Sequence, residues 1–197
     1  MHSQFPFLGK RYNPFGSFLK KTFGCRVYKV SVDGGFSCPN RDGTVSVGGC
    51  TYCNNRSFRP GTATSLKPAG EQVRDGISFL RKRYGAKKFI VYFQPYSNTH
   101  APLDLLALLY ETAIDHPDVV GLSVGTRPDC IDDAKIAWFE NLARTHFVTL
   151  EYGLQSMYDE TLLRINRGHD YGCWLNAMER TRNRGIRRSG GICRTGG

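Results

Sequence analysis

Three cysteines, Cys38, Cys50 and Cys53, are the residues of this sequence whose type and spacing most clearly point to chemistry. They follow the pattern C-x11-C-x2-C and come directly after the apolar run Val27 to Val32. Thiolates are soft ligands that bind zinc, copper(I) or iron–sulfur clusters. A structural zinc site has four protein ligands, and this loop supplies three. The spacing therefore favours a metal centre that keeps one position open.

The identity of that centre depends on whether a fourth ligand exists elsewhere in the chain. None of the remaining cysteines has ligand-like local spacing: Cys25, Cys130, Cys173 and Cys193. A four-iron cluster held by three cysteines instead leaves one iron free to bind a reacting molecule. Tyr52, an aromatic residue immediately before the third cysteine, adds weight to the cluster interpretation. We therefore expect a [4Fe–4S] cluster and keep structural zinc as the alternative.

Length and composition indicate a globular domain. The chain has 197 residues, of which 40% are hydrophobic, enough to bury a sizeable core. No apolar run approaches the roughly 20 residues that a membrane-spanning helix needs. Seven cysteines without an export signal favour metal or redox use over a disulfide framework, so we expect a cytoplasmic protein that does not contact a membrane.

The chain is strongly basic, with a formal net charge of +10. A solvated basic surface explains this charge without any partner. The alternative is attraction to a polyanion such as RNA. Neither an RRM nor a KH signature is visible, so the prediction of an RNA substrate rests on charge alone.

Apolar segments of strand length alternate with helical patterns along the chain. Strands are predicted to begin near residues 27, 89, 119 and 147, and the last two intervals are about 30 residues, the size of one βα unit. This alternation predicts an α/β fold with a parallel sheet or barrel. In such barrels the reactive groups lie at the C-terminal ends of the strands. The cysteine loop follows the first strand and is expected at that face.

The fourth predicted strand has one polar face inside an otherwise apolar segment. Alternation places Glu151, Gly153 and Gln155 on one side and apolar residues on the other. A polar face of this kind points to a lumen that binds a ligand. For Glu151 the alternative is a buried ion pair with an arginine of the barrel. Arg127 and Asp129 are expected to form a local pair.

The C-terminal segment breaks the alternation. Residues 186–197 are rich in glycine and arginine, and no fifth strand is predicted there. We expect an N-terminal aromatic and basic extension over 1–26, an incomplete barrel over 27–185 and a disordered tail over 186–197. A truncated or frame-shifted end would account for this pattern.

These motifs together resemble the radical S-adenosylmethionine (radical SAM) enzymes. The phrases DGGFSCPNRDGT, VGTRPDC and LEYGLQS are similar to an uncharacterised bacterial group near the elongator-subunit and oxygen-independent coproporphyrinogen oxidase branches. The resemblance covers about residues 10 to 185. The usual spacing in this family is C-x3-C-x2-C, and the first gap here is 11 residues, an expansion that also occurs in the elongator branch.

The resemblance implies a partial (βα) radical SAM barrel and two cofactors, a [4Fe–4S] cluster and S-adenosylmethionine. It implies that Tyr52 lies near the adenine and that Gln155 and Arg167 contact the cofactor. Where the family has a Gly-Gly-Glu-like stretch, this chain reads FQPYSNT, so Gln94 and Ser97 take that place as polar candidates. Gly125 stands where the coproporphyrinogen oxidase branch has a carboxylate.

The function expected from the resemblance is reductive cleavage of S-adenosylmethionine, which starts hydrogen abstraction from an unknown substrate. A flavodoxin- or ferredoxin-like electron donor is implied as a partner. No catalytic residue is assigned from the sequence. Two other readings stay open: an inactive cluster-binding fragment, and a zinc-binding, nucleic-acid-associated protein.

Overall fold

A single parallel β-sheet organises the chain in the computed structural model, which describes residues 14–54 and 67–191. Helices connect successive strands, as the alternation predicts. The elements run in the order α1 (Phe15–Phe23), β1 (Val27–Val32), α2 (Ala69–Tyr84), β2 (Lys88–Phe93), α3 (Leu103–Ile114), β3 (Val119–Thr126), a short 3₁₀ helix (Pro128–Cys130), α4 (Asp133–Leu142), β4 (Phe147–Gly153), α5 (Asp159–Arg164), α6 (Tyr171–Arg180) and β5 (Arg187–Gly191).

The strands follow one another in the order β1-β2-β3-β4-β5, and every neighbouring pair is parallel. Parallel neighbours need a crossover connection, and a helix supplies each one that the structure describes. The five strands form an open α/β sheet that resembles part of a radical SAM barrel, which confirms the predicted fold class.

The core lies between this sheet and the connecting helices. A continuous row of aliphatic residues crosses it, since Val30 is level with Val91, Val91 with Leu122, and Leu122 with Val148. All four side chains are buried. Near-continuous apolar runs are typical of strands covered on both faces, which is why the sequence shows them so clearly.

Helix α1 covers the N-terminal ends of the strands. The ring of Phe147, at the start of β4, lies 6.1 Å from the ring of Phe18 and 5.9 Å from that of Phe23. The Arg187 guanidinium stacks on Phe18 at 4.2 Å. Residues 1–13 of the predicted N-terminal extension lie outside the described residues, but α1 itself packs against the sheet.

The prediction that no fifth strand follows Gly185 is wrong. Strand β5 pairs with β4 in parallel, with Arg187 level with Thr149 and Gly191 level with Gly153. Pairing uses backbone groups, so a segment poor in apolar side chains can still add a strand to an existing edge. The predicted tail therefore begins too early, and residues 192–197 lie outside the described residues. Helix α6, which precedes this strand, ends at Arg180.

No helix within the described ranges combines the length and the apolar character required to cross a bilayer.

Candidate functional site

A cavity of about 340 Å³ opens at the C-terminal ends of the strands. The cysteine loop after β1, the segment after β2, and the ends of β3 and β4 all contribute to its walls. All nine site residues predicted from the sequence line it: Cys38, Cys50, Tyr52, Cys53, Gln94, Ser97, Glu151, Gln155 and Arg167. Residues far apart in the chain meet here because parallel strands bring their C-terminal ends to one edge of the sheet.

The cysteine loop is folded by its own backbone hydrogen bonds. The amide of Arg41 donates to the Cys38 carbonyl at 2.8 Å, and the amide of Cys53 donates to the Cys50 carbonyl at 3.0 Å. Between these two turns, the Gly49 amide donates to the Asn40 carbonyl at 2.8 Å. The 11 residues between the first and second cysteines thus form a hydrogen-bonded loop that brings Cys50 back close to Cys38.

A second segment, residues 165–168, holds this loop from outside. The Thr51 amide donates to the Ile165 carbonyl at 3.1 Å, and Asn166 Nδ2 donates to the Gly49 carbonyl at 2.9 Å. Asn40 Nδ2 donates in the opposite direction, to the Asn166 carbonyl. Asn166 has φ of 51°, a left-handed conformation that asparagine tolerates better than most residues. The loop between α5 and α6 therefore fixes the position of the cysteines.

Arg167 projects from this segment into the cavity and is only 6% exposed. Its Nη2 donates to the Gly153 carbonyl at 2.7 Å, and its Nη1 lies 3.7 Å from the Cys50 sulfur. The third nitrogen, Nε, is buried and has no hydrogen-bond partner among the residues that the structure describes. A Cβ atom at position 153 would come within 2.9 Å of Nη2, so Gly153 leaves the space that the guanidinium occupies.

The thiols differ in their surroundings. Cys50 is buried, whereas Cys38 and Cys53 are partly accessible. Burial, together with the neighbouring Cys50 and Cys38, raises the pKa of the Cys53 thiol. Over residues 14–54 and 67–191, no group of three or more His, Cys, Asp or Glu side chains is placed to hold a single metal ion.

Glu151 is fully engaged at the floor of the cavity. Its Oε1 accepts from Lys29 Nζ at 3.0 Å and from Ser123 Oγ at 3.1 Å, and its Oε2 accepts from the Tyr92 hydroxyl at 2.8 Å. Burial alone would raise the pKa of Glu151, but the Lys29 ammonium and these hydrogen bonds outweigh it and lower the pKa. The ion pair considered from the sequence is present, with a lysine in place of the expected arginine.

The remaining predicted residues lie around the rim and walls. Tyr52 is 43% exposed beside Cys50 and Cys53, and Gln155 adopts a left-handed φ of 73° just beyond β4. Ser97 is buried, and its amide donates to the Ser37 carbonyl at 3.2 Å, which joins the segment after β2 to the cysteine loop. Gln94 follows β2 directly, at the level where the cavity opens.

Sequence reasoning assigned no place in the site to several residues that line the cavity. They are Arg41, Tyr92, Tyr96, Thr126 and Arg127. Tyr92 carried a usable signal, because it interrupts the apolar run of β2. Arg127 was identified with Asp129 as a local pair, and the structure has that pair, with Nη2 2.6 Å from the carboxylate.

Comparison with known proteins agrees with this arrangement. A family model described as "Radical SAM superfamily" matches residues 38–196, which begin at the first cysteine of the loop. Among similar proteins of known sequence, YhcC of Escherichia coli K12 is 41% identical over 91% of this chain and 57% of its own length. YtqA of Bacillus subtilis is 38% identical over 90% of this chain and 55% of its own length, and is named an uncharacterized protein. The chain spans about half the length of these relatives.

Solved structures share the fold at low sequence identity. A structure of archaeal Elp3 from Methanocaldococcus infernus superposes with a TM-score of 0.51 at 18% identity, over 77% of this chain and 34% of that one. The enzyme anSMEcpe, solved with bound AdoMet and a peptide, gives 0.54 at 15% identity, over 83% of this chain and 42% of that one. From the match that starts at Cys38 and the barrel-like sheet behind it, the chain belongs to the radical SAM superfamily.

Proposed function

We propose that this chain binds a [4Fe–4S] cluster and S-adenosylmethionine in the cavity at the strand ends. The cluster would supply one electron to cleave the cofactor reductively and so start hydrogen abstraction from a substrate not yet identified. The observation that carries the proposal is the convergence of three cysteines and six further predicted residues on one cavity. Membership of the family supports the same chemistry.

The thiol set fits a cluster better than a single ion. Cys38, Cys50 and Cys53 line one wall, and their thiols are close enough to influence one another electrostatically. A structural zinc site needs four protein ligands, whereas this loop supplies three, the number that leaves one iron of a four-iron cluster open to the cofactor. The protein's part is to hold these ligands and keep them deprotonated when metal is bound.

The cofactor cradle would be formed by residues on the other walls. Arg167 Nε is a buried donor that no residue of the described ranges pairs with, and a carboxylate of the cofactor would satisfy it. Gln155, Gln94 and Ser97 offer further polar groups, and Tyr52 provides a ring at the rim beside the adenine. Glu151 already accepts hydrogen bonds from Lys29, Ser123 and Tyr92, and its contribution to the cofactor site would be a polar floor.

Two partners belong to the proposal. The cluster needs a low-potential one-electron donor of the flavodoxin or ferredoxin type, and the exposed thiol side of the cavity is where it would approach. The formal net charge of +10 favours a polyanionic substrate such as RNA. The cytoplasm, which keeps thiols reduced, is the compartment that this chemistry requires.

Anaerobic reconstitution with iron and sulfide tests the proposal. We expect a brown protein that, with dithionite and S-adenosylmethionine, releases 5′-deoxyadenosine. A colourless protein that binds one zinc ion per chain would instead support the zinc alternative. A cluster without deoxyadenosine formation would support the reading of an inactive cluster-binding fragment.

Matched cysteine variants make the result specific. Cys50→Ala should lose the cluster, because it removes one of three ligands. Cys173→Ala should retain it, because Cys173 lies at the start of α6 and does not line the cavity. Equal loss of iron in both variants would contradict the ligand assignment. For RNA, salt-dependent retention of the reconstituted protein on immobilised tRNA is the test.

A further inference from the structure

Cys50 receives two hydrogen-bond donors on its sulfur. Asn40 Nδ2 lies 3.5 Å and Arg167 Nη1 lies 3.7 Å from Cys50 Sγ. The two donors come from opposite directions in the chain, one from inside the cysteine loop and one from the segment before α6. The sulfur itself is buried, with Cys50 8% exposed.

Both donors are fixed in place. Asn40 is completely buried, and the same Nδ2 also donates to the Asn166 carbonyl. Arg167 is anchored by its second terminal nitrogen, which donates to the Gly153 carbonyl at 2.7 Å. Its own carbonyl accepts from Arg127 Nη1 at 2.7 Å. Neither donor can therefore leave the sulfur without breaking other buried hydrogen bonds.

Donors on a ligand sulfur change the energy of the metal group that the sulfur holds. A bound cluster gains one negative charge on reduction, and part of that charge resides on the thiolate sulfurs. Hydrogen bonds to those sulfurs favour the more negative state and raise the reduction potential. A positively charged guanidinium acts in the same direction, and its influence is greater where water is excluded.

We propose that Asn40 and Arg167 are positioning residues that raise the reduction potential of the bound cluster through Cys50. This inference rests on the proposed function, because it needs the cluster to be present. The step concerned is transfer of one electron from a low-potential one-electron carrier to the cluster, with no bond made or broken. The two donors determine how strongly reducing that carrier must be.

A redox titration of the reconstituted protein, followed by EPR and without S-adenosylmethionine, tests the proposal. At the potential where wild-type protein is half reduced, Arg167→Gln should lower the ratio of reduced to oxidised cluster about tenfold. This corresponds to a midpoint potential about 59 mV lower than that of the wild type. Asn40→Ser should lower it roughly threefold, because it removes a neutral donor, and the double variant should fall below either single one. Arg167→Lys, which keeps the charge, should recover part of the loss.

Arg164→Gln is the matched control. Arg164 lies on α5, three residues before Arg167, and its exposed side chain pairs with Glu160 at 3.3 Å. The cluster of the Arg164→Gln variant should have the same midpoint potential as that of the wild type, because the Arg164 side chain bonds to Glu160 and not to Cys50.

The possible outcomes distinguish failure of the proposed function from failure of the role proposed for Asn40 and Arg167. If wild-type protein takes up no cluster, the proposed function fails. If the variants load iron normally and their midpoint potentials match the wild type, the inference is wrong while the function stands. If neither Asn40→Ser nor Arg167→Gln loads iron while the wild type does, the two residues support the loop and do not tune the cluster, which also overturns the inference.

Discussion

Arg127 holds Arg167 through the main chain, since its Nη1 donates to the Arg167 carbonyl oxygen at 2.7 Å. The other nitrogens of Arg127 bind the two carboxylate oxygens of Asp129, Nε at 2.8 Å and Nη2 at 2.6 Å. Arg127 is 2% exposed, and the Asp129 carboxylate supplies the charge that makes this burial tolerable. The pair thus braces the segment that carries Arg167 against the end of β3.

Replacing Arg127 should therefore destabilise the fold as well as the site. Arg127→Met leaves Asp129 without its partner and the Arg167 carbonyl without a donor. Removing one partner of a buried ion pair costs roughly 3–5 kcal/mol, and because Asp129 keeps some contact with solvent we expect about 3 kcal/mol. Urea unfolding of the purified protein measures this loss. Arg164→Met, in an exposed pair, should change stability by less than about 1 kcal/mol, and equal losses in both variants would contradict the role given to Arg127.

Stability should also fall on mild acidification because of His169. Burial, and then the nearby Arg167 guanidinium, lower the pKa of His169 to about 4. In the unfolded chain a histidine has a pKa of about 6.5, so between these values the unfolded state binds a proton that the folded state does not. Stability is therefore greatest above pH 6.5 and decreases as the pH falls toward 4.

The size of this effect can be measured with one variant. Between pH 7 and pH 5 we expect His169 to remove about 1 kcal/mol, after allowance for the partial exposure of the ring. Glutamine at position 169 cannot gain a proton. The free energy of unfolding of His169→Gln, measured in urea, should therefore fall by about 1 kcal/mol less than that of the wild type between pH 7 and pH 5. An unchanged slope in the variant would show that other groups cause the pH dependence.

How far the site could be predicted depends on what kind of signal each residue leaves. The cysteines were found because ligand spacing is local in sequence, and Gln155 because β4 alternates visibly between polar and apolar residues. Asn40 left no such signal. Its importance arises because the turn around it brings its amide to Cys50 and Asn166, a long-range contact that spacing does not encode.

The strands, too, were predicted where their side chains leave a local pattern and missed where they do not. Strands β2 and β3 were predicted because burial on both faces requires apolar side chains, and β1 and β4 because apolar residues recur on their buried face. Strand β5 was missed because its residues contribute a backbone edge and not an apolar run. The partner of Glu151 was assigned to the wrong residue type. Lys29 lies on β1, which two strands separate from β4 in the sheet, so its pairing with Glu151 is a long-range contact that the sequence pattern does not show.

Alanine substitutions at Gly168 and Gly185 distinguish the cost of backbone strain from the cost of a steric clash within the site. Gly168 and Gly185 have nearly the same left-handed conformation, with φ of 73° and 71°. A Cβ at position 168 would lie 2.5 Å from Asn40 Oδ1, whereas at position 185 the nearest atom would be 3.7 Å away. Alanine at either site carries a conformational cost of about 1 kcal/mol. Gly168→Ala should lose at least about 1 kcal/mol more and should displace Asn40.

Urea unfolding compares the two variants, and iron retention after reconstitution reports on the site. Gly168→Ala should hold less iron than Gly185→Ala, because the added methyl group pushes the cysteine loop out of place at Asn40 and Val45, which removal of the Asn40 amide alone does not do. Similar stability and similar iron content in the two variants would show that Asn40 moves aside at no cost.

Aromatic contacts hold the opposite end of the sheet together. Phe147 joins three elements, because its ring meets Phe18 and Phe23 of α1 and lies 5.2 Å below the Arg187 guanidinium of β5. Phe147→Ala should cost roughly 2 kcal/mol, less than the about 3–5 kcal/mol of a fully buried phenylalanine because this ring is only partly buried, and should loosen α1 and β5 together. Phe79→Ala is the control, since Phe79 on α2 is 60% exposed and its loss should change stability by about 0.5 kcal/mol or less. Amide hydrogen exchange provides the measurement: faster exchange in both α1 and β5 is expected in Phe147→Ala alone. Faster exchange confined to α1 would show that β5 is held by its pairing with β4 and not by this ring.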